Sequence, residues 1–325
     1  MRRTGLGVCV GLAVMLGMMI FVQDAMALDY PKKPITLVVP YSAGGRTDLV
    51  GRLMAQVLQK HLKQPVVVVD KPGAGTVLGT MEVIKAAPDG YTLGLFSNGL
   101  IASHYVLPDT PVLWKQLETV ANINFDPTCM AVSTKTGLEN LKQFIAFAKK
   151  NPKKLAVGIN QGTATSLYTF AFMKLAGIEV VYVPFKGGGE GKIAIAGGHV
   201  DAHFDAPYIY KPLVDGQKAR FMGMTSETRD KFFPEIPTLK EQGLDITWGS
   251  WNGIFAPKGT SIEIIQLLEK AVENAVKDKE LAEMYMKNQI SVAFKNRQEY
   301  IRFLENEEKV YREQAIETGL YKPKK

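Results

Sequence analysis

Residues Ile35–Asp48 read ITLVVPYSAGGRTD and carry the clearest fold signal in the chain. Five apolar and mostly β-branched residues are typical of a buried parallel strand, and the proline after them ends it. The Gly44-Gly45 pair lets the backbone approach a ligand, and Thr47 or Asp48 can cap a following helix. Free N–H groups at a helix start favour an anion, so we predict a strand, an anion-binding loop and a helix. The alternative is a turn without a ligand, since many α/β turns have this composition.

The strand-loop-helix pattern occurs twice more before residue 100. Pro65–Val69 and Tyr91–Phe96 are the predicted strands of these units. Consecutive units of this kind form a parallel sheet with right-handed crossovers, and the carboxyl ends of the strands meet at one edge. We therefore expect Ser42–Thr47, Gly73–Thr76 and Ser97–Gly99 to converge at a ligand.

The pattern of elements restarts near Cys129, which indicates a second domain. We predict an α/β fold with two lobes, formed by residues 28–124 with 249–325 and by residues 125–248. Each lobe is expected to be a mainly parallel sheet flanked by helices, with a ligand cleft between the lobes.

The second lobe also offers polar groups at predicted strand ends. The loop Asn160–Thr165 follows a strand and opens a helix, so it repeats the anion-binding geometry of the first lobe. Lys186 is a possible cation in a glycine-rich loop. Asp205 can accept a hydrogen bond from a ligand amine or hydroxyl, or it can serve as a cap or turn residue.

Two charged residues of the first loop have open alternatives. Asp48 is expected to cap the helix, where its carboxylate competes with an anionic ligand for the same N–H groups. Arg46 either pairs with a ligand carboxylate in a bidentate manner or extends into solvent.

The first 27 residues are typical of a signal peptide. Arg2 and Arg3 precede a long apolar run, and Ala25 and Ala27 supply the small residues for cleavage after Ala27. We expect an exported protein; the alternative is that the apolar run is retained as a membrane anchor. Cleavage leaves Cys129 as the sole cysteine, which excludes an intramolecular disulfide.

Composition argues for binding rather than catalysis. The predicted strand ends carry hydroxyls, amides and glycines but few general acids or bases, so an enzyme is not expected. The net charge of +7 comes from lysines spread along the chain, and no basic and aromatic cluster indicates nucleic acid. His199 and His203 lie four residues apart, yet we expect solvated or core histidines there rather than a metal site. No cofactor or metal is predicted.

Seven segments occur in the order found in a known family, and together they span essentially the whole mature chain. They are residues 30–48, 72–75 (PGAG), 88–93 (PDGYTL), 183–187 (VPFKG), 197–201 (GGHVD) with Phe204-Asp205, Pro237-Thr238, and 251–260 (WNGIFAPKGT). The chain thereby resembles the extracytoplasmic solute receptors of the tripartite tricarboxylate transporters, also called Bug receptors.

The resemblance implies a type II-like periplasmic binding protein that captures a small organic anion, often a carboxylate, and delivers it to the permease subunits of a membrane transporter. A monomer is expected. The implied ligand-binding residues are Ser42, Ala43, Gly44, Gly45, Arg46, Thr47, Asp48, Gly73, Ala74, Gly75, Thr76 and Asn98 in one lobe, and Gln161, Gly162, Thr163, Ala164, Thr165, Lys186 and Asp205 in the other.

This chain departs from the family pattern at two places. Family members commonly carry a small residue or proline at the position of Arg46, and a histidine where residues 162–167 read GTATSL. We hypothesise that Arg46 selects a ligand with a second negative charge; unchanged dicarboxylate affinity in Arg46→Ala would contradict this. The alternative functions are a secreted α/β enzyme acting on a small carboxylate and a receptor that serves a signalling partner. Thermal stabilisation by a ligand without its turnover separates a receptor from an enzyme.

Overall fold

The computed structural model describes residues 29–107, 110–111, 114–160, 163–185, 188–317 and 319–322. The predicted signal peptide and the site candidates Gln161, Gly162 and Lys186 lie outside these ranges. The elements are β1 (Ile35–Val39), α1 (Arg46–Leu62), β2 (Val66–Asp70), α2 (Val77–Ile84), β3 (Thr92–Ser97), α3 (Gly99–Val106), β4 (Leu117–Pro127), β5 (Cys129–Ser133), α4 (Leu141–Lys150), β6 (Ala156–Asn160), α5 (Ala164–Ala176), β7 (Val181–Phe185), α6 (Gly188–Gly197), β8 (Ala202–Asp205), α7 (Pro207–Asp215), β9 (Ala219–Met224), β10 (Gly249–Pro257), α8 (Ile262–Lys277), α9 (Lys279–Lys287), β11 (Val292–Lys295) and α10 (Arg297–Glu317).

The first sheet has six strands in the order β11-β4-β10-β3-β1-β2. Strands β2, β1 and β3 run parallel, as the repeated strand-loop-helix units predict. Strands β10, β4 and β11 join them in antiparallel pairs. The sheet is therefore mixed rather than mainly parallel. The reason is that β4 leaves for the second sheet and β10 returns from it, so these neighbouring strands must run in opposite directions.

The second sheet has five strands in the order β7-β6-β8-β5-β9 and is also mixed. Strands β7, β6 and β8 are parallel, whereas β5 pairs antiparallel with β8 and β9. The predicted two-lobed α/β class is confirmed. Strand β4 continues beyond residue 124 to Pro127, so Thr128 alone separates it from β5.

The two chain segments that connect the sheets are fastened to each other. The Thr128 N–H donates to Thr225 Oγ1 at 2.9 Å, and Thr225 Oγ1 lies 2.6 Å from the carbonyl oxygen of Trp248. Strand β10 then begins at Gly249. The connection between the lobes is thus a hydrogen-bonded pair of crossing segments.

Apolar side chains cover both faces of each sheet. Helices α1 and α8 pack on one face of the first sheet, where Met54 and Leu268 are buried. Helices α3 and α10 cover its other face, and Leu167 and Tyr168 of α5 enter that core from the second lobe. Each fully buried side chain of this size contributes about 1.5–3 kcal/mol. Within the described ranges, no helix has the length and apolar character of a membrane span.

Candidate functional site

Three loops of the first sheet converge where β1, β2 and β3 end, as the parallel strand order predicts. The hydroxyl of Tyr41, after β1, is hydrogen-bonded to Ser97 at the end of β3. A Cβ atom at Gly99 would lie 2.7 Å from the Tyr41 hydroxyl and 3.1 Å from Thr76 Cγ2. Only glycine fits between these side chains. Burial raises the pKa of Tyr41 to about 12, so its hydroxyl stays neutral and can donate.

The first loop presents its backbone to solvent at the start of α1. Ser42, Ala43 and Gly44 are exposed, and Gly44 has a φ of +79°, which favours glycine. Gly45 is the N-cap of α1, and no side chain caps this helix end. The first-turn N–H groups have no intrahelical acceptor, so this helix start can bind an anion.

Asp48 does not cap the helix, in contrast to the sequence prediction. Its Oδ2 accepts a hydrogen bond from the loop N–H of Gly44 at 2.7 Å, because a residue in the first turn can reach back beyond the N-cap. Its Oδ1 lies 2.7 Å from Arg52 Nε, and Arg52 Nη2 lies 2.6 Å from Asp70 Oδ2. Burial and the charge of Asp48 raise the pKa of Asp70. Asp48 thus fastens the loop and leaves the first-turn amides available.

The second loop has an unusual backbone. Gly73, Ala74, Gly75 and Thr76 all have positive φ values, of 140°, 46°, 58° and 85°. Each residue other than glycine in this region costs about 1–3 kcal/mol, and such strain is concentrated at functional sites. The Thr76 hydroxyl is buried and has no hydrogen-bond partner among the residues that the structure describes. This loop therefore holds an unsatisfied hydroxyl beside the convergence of the three loops.

Arg46 points inward instead of into solvent. Its Nε and Nη2 lie 3.0 and 2.8 Å from Asp126 Oδ2. Its Nη1 donates to the carbonyl of Asn288 at 2.9 Å and its Nη2 to that of Gln289 at 2.8 Å. The side chains of Arg46 and Asp126 are 14% and 9% exposed. Burial raises the pKa of Asp126, and the guanidinium charge opposes that shift.

A buried chain of hydrogen bonds orients Asp205 in the second lobe. His203 Nδ1 pairs with the Tyr210 hydroxyl, and His203 Nε2 lies 3.0 Å from Asn160 Oδ1. Asn160 Nδ2 donates to Asp205 Oδ2 at 2.7 Å, and the Ala206 N–H donates to Asp205 Oδ1 at 2.7 Å. Burial lowers the pKa of His203, which favours the neutral ring. We assign its proton to Nε2, because Asn160 then receives one donor and gives one.

The other described site candidates are either partly exposed or buried where the two lobes meet. Thr163 and Thr165 are partly exposed, and the Thr163 hydroxyl donates to the carbonyl of Asn160 at 2.7 Å. Ala164 is buried in the core that α5 shares with the first lobe. Asn98 is also buried, and its Nδ2 donates to the carbonyl of Gly249 at 3.2 Å.

Sequence patterns did not identify Tyr208, whose ring packs against the guanidinium of Arg46. The Arg46 Cζ atom is 4.4 Å from the centroid of the Tyr208 ring. Tyr208 is in the first turn of α7, which begins at Pro207 directly after Ala206. A proline soon after Asp205 indicates a helix start, so the sequence contains the signal for the helix but not for its contact with Arg46.

Two other features do not belong to this site. A depression of about 400 Å³ lies between the second lobe and the segment that follows α10, lined by residues such as Phe170, Tyr182 and Leu320, and none of the site candidates that the structure describes lines it. Among the residues that the structure describes, no three His, Cys, Asp or Glu side chains form a group that could hold a metal ion.

Two α/β lobes, joined by crossing segments and in contact beside their strand-end loops through Arg46 and Tyr208, define a solute-binding protein of the two-lobed kind. The family described as the tripartite tricarboxylate transporter family receptor matches residues 50–320. The chain belongs to this family. It is a solute-binding receptor and not an enzyme, and receptors of this family are periplasmic.

Two relatives extend over most of the chain. The UPF0065 protein in the gbd 5′ region of Cupriavidus necator is 35% identical over 307 residues, which are 93% of this chain and 91% of the relative. The BugT protein of Bordetella pertussis is 33% identical over 262 residues, which are 79% of this chain and 80% of BugT.

Solved structures share the fold over nearly their whole length. A TctC solute-binding protein from Polaromonas is 29% identical with a TM-score of 0.74 and covers 90% of this chain and 98% of its own. MatC from Rhodopseudomonas palustris with bound malate is 26% identical, with a TM-score of 0.77 and coverage of 88% and 100%. A second R. palustris protein, with adipate, is 26% identical, with a TM-score of 0.79 and coverage of 90% and 99%.

Proposed function

We propose that this receptor captures a small carboxylate between its lobes and delivers it to the membrane permease subunits of a tripartite tricarboxylate transporter. The observation that carries this proposal is the uncapped start of α1, which follows an exposed glycine loop. An anion is the ligand that such a helix end stabilises. The similar structures that hold malate and adipate support a carboxylate.

In this proposal, amides within residues 43–47 bind one carboxylate of the ligand, except those of Gly44 and Gly45, which already donate to Asp48 Oδ2 and to the carbonyl of Ser42. The hydroxyl of Thr76 supplies a further donor, since it is buried and bonds to no other residue in the described part of the chain. Asp205, oriented by Asn160, accepts from a ligand hydroxyl or from a bridging water. The proposed ligand-binding set is the one that the resemblance implies, including Gln161, Gly162 and Lys186, except that Arg46 offers its backbone amide and not its guanidinium, which is bonded to Asp126 and to two carbonyls.

We also propose the division of the chain and its processing. The first lobe comprises the strands of the first sheet, up to Pro127 and again from Gly249, and the second lobe comprises the residues between them. The signal peptide is cleaved after Ala27, and the receptor works as a monomer.

A thermal-shift screen of the mature protein tests this function. The ligands are mono-, di- and tricarboxylates, aromatic acids and amino acids. A ligand at a hundredfold excess over its Kd stabilises the folded state by about 2.7 kcal/mol. We expect at least one carboxylate to raise the melting temperature and to be recovered unchanged. Stabilisation by none of the carboxylates, or conversion of the ligand, would overturn the proposal.

A negative charge introduced into the first loop tests whether this loop is the carboxylate site. Ala43→Asp adds a carboxylate to an exposed loop residue, so it should abolish the ligand-induced shift by like-charge repulsion without unfolding the protein. Ala146→Asp makes the same change on an exposed face of α4 in the second lobe and should leave the shift intact. Equal loss in both variants would count against the loop as the carboxylate site.

A further inference from the structure

We infer that Arg46 and Tyr208 form a clamp between the two lobes, which stabilises the closed receptor and thereby sets its ligand affinity. The inference rests on the proposed function only in taking the space between the lobes as the ligand site. Arg46 then positions the two lobes relative to each other and does not make the ligand contact that the sequence predicts.

One half of the clamp is fixed within the first lobe. The Arg46 guanidinium makes four hydrogen bonds, two to Asp126 Oδ2 and two to the carbonyls of Asn288 and Gln289. Asp126 is itself held by the Ser291 N–H at 3.0 Å. A guanidinium whose charge is paired with a carboxylate and whose N–H donors are already hydrogen-bonded is poorly suited to bind a ligand carboxylate. Its flat face, however, remains available for an aromatic ring.

The other half of the clamp belongs to the second lobe. Tyr208 stacks on this face, with its ring centroid 4.4 Å from Arg46 Cζ. All four hydrogen bonds of Arg46 go to residues of β4 and of the turn after α9, which are parts of the first lobe. Separation of the lobes would therefore break the stacking and leave the hydrogen bonds intact. A contact of this kind can form and break without exposing an unpaired charge.

A second contact between the lobes, unlike the first, is not expected to break when the lobes separate. The Tyr168 hydroxyl of α5 pairs with the Tyr311 hydroxyl of α10, and Tyr311 donates to Glu307 Oε2 at 2.6 Å. The Tyr168 ring also stacks on Trp248, with centroids 4.8 Å apart and planes 10° from parallel. Tyr168 and Tyr311 are buried, and breaking the bond between their hydroxyls would leave polar atoms unsatisfied. We expect the lobes to pivot at this contact and to separate at Arg46 and Tyr208.

The clamp connects the ligand loops of both lobes. Arg46 follows the glycine loop of the first lobe, and Tyr208 lies three residues after Asp205 of the second lobe. The stacked arrangement brings these loops together, so a ligand that contacts both of them favours it. Loss of the stack should lower the affinity mainly through faster dissociation of the ligand.

Distances between the lobes in the ligand-free protein test the clamp. Spin labels are attached at Lys85→Cys, just after α2, and at Lys142→Cys on α4, which are exposed positions in different lobes. Cys129 is fully buried and should remain unlabelled. Tyr208→Leu removes the aromatic face, and Tyr208→Phe keeps it. We expect the closed-to-open ratio to fall about fivefold in Tyr208→Leu and to stay unchanged in Tyr208→Phe.

Arg46→Lys provides a second variant, which retains a charge beside Asp126 but loses the planar face and the fork. It should also shift the distances towards the open form, and far-UV circular dichroism checks that each variant is folded. Distances in Tyr208→Leu and Arg46→Lys that match those of the wild type would overturn the clamp, as would an equal shift in Tyr208→Phe and Tyr208→Leu. Because no ligand is present, failure of the carboxylate screen would leave this result unaffected.

Discussion

Removal of the charge that pairs with Arg46 should destabilise the whole receptor. In Asp126→Asn, the guanidinium keeps its two carbonyl partners, at 2.9 and 2.8 Å, but loses the anion at 2.8 Å. The new amide nitrogen must also face a hydrogen-bond donor, because the carboxylate now accepts from Asn124 Nδ2 on one oxygen and from the Ser291 N–H on the other.

The burial of the pair determines the size of this effect. With side chains 14% and 9% exposed, Arg46 and Asp126 are too buried for solvent to replace the missing partner. Removing one member of such a pair typically costs 3–5 kcal/mol, and the isosteric amide retains some of the hydrogen bonds, so we expect a loss of about 3 kcal/mol. A urea m-value of about 3 kcal/mol per molar converts this loss into a midpoint that is lower by about 1 M.

Urea unfolding followed by circular dichroism measures the shift, with Asp215→Asn as the matched control. Asp215 pairs with Lys211 on the surface, where the side chains are 59% and 44% exposed, and such pairs contribute about 0.5 kcal/mol or less. The control should move the midpoint by less than about 0.2 M. If Asp126→Asn shifted the midpoint no further than Asp215→Asn, the reasoning about a buried, fully occupied guanidinium would be refuted.

Three further predictions concern packing, a buried carboxyl and the lone cysteine. Gly99→Ala places a methyl group 2.7 Å from the Tyr41 hydroxyl and should cost about 1–3 kcal/mol by urea unfolding. Gly189→Ala, whose new methyl group would meet no described heavy atom within 4 Å, should be neutral or stabilising. Burial raises the pKa of the Glu307 carboxyl in the folded protein. The carboxyl therefore contributes stability below its unfolded pKa of 4.5, and this contribution is lost as the pH rises through its folded pKa. The melting temperature of the wild type, relative to that of Glu307→Gln, should accordingly be lower at pH 7.5 than at pH 4.5. A difference between the two melting temperatures that does not depend on pH would contradict the raised pKa of Glu307. Cys129 is fully buried and its pKa is raised, so a disulfide reagent should not modify the native protein but should react once it is unfolded in urea.

Local patterns were sufficient to predict most elements of the first sheet. The apolar run of β1, the glycine loop and the apolar spacing of α1 are properties of adjacent residues, and the structure places β1 at Ile35–Val39 and α1 at Arg46–Leu62. The parallel order of the first three strands follows from short crossover connections, which permit few alternatives. The antiparallel strands could not be predicted in the same way, because β10 pairs with β4 across a whole lobe of intervening chain.

The candidate site was predictable as a set of loops but not as a set of roles. Asp48 was expected to cap the helix because its sequence position permits it, yet it binds the N–H of Gly44. The positive φ of Thr76 contradicts the preference of a β-branched residue and is imposed by the loop around it. His203 lies in the core, as expected, but its link through Asn160 to Asp205 depends on the pairing of β6 with β8.

Local sequence patterns were enough to establish the class of this receptor, the strand-loop-helix units, and the glycine loop that leads into α1. These features depend on residues that are neighbours in the chain, and their physical preferences act over one or two turns of backbone. The role of Arg46, in contrast, depends on contacts that form only in the folded protein. Its partner Asp126 is 80 residues away in the sequence, and the ring of Tyr208 comes from the other lobe. A long, flexible cation has no local preference between solvent, a ligand and a buried carboxylate, so its position is determined by the groups that folding brings around it.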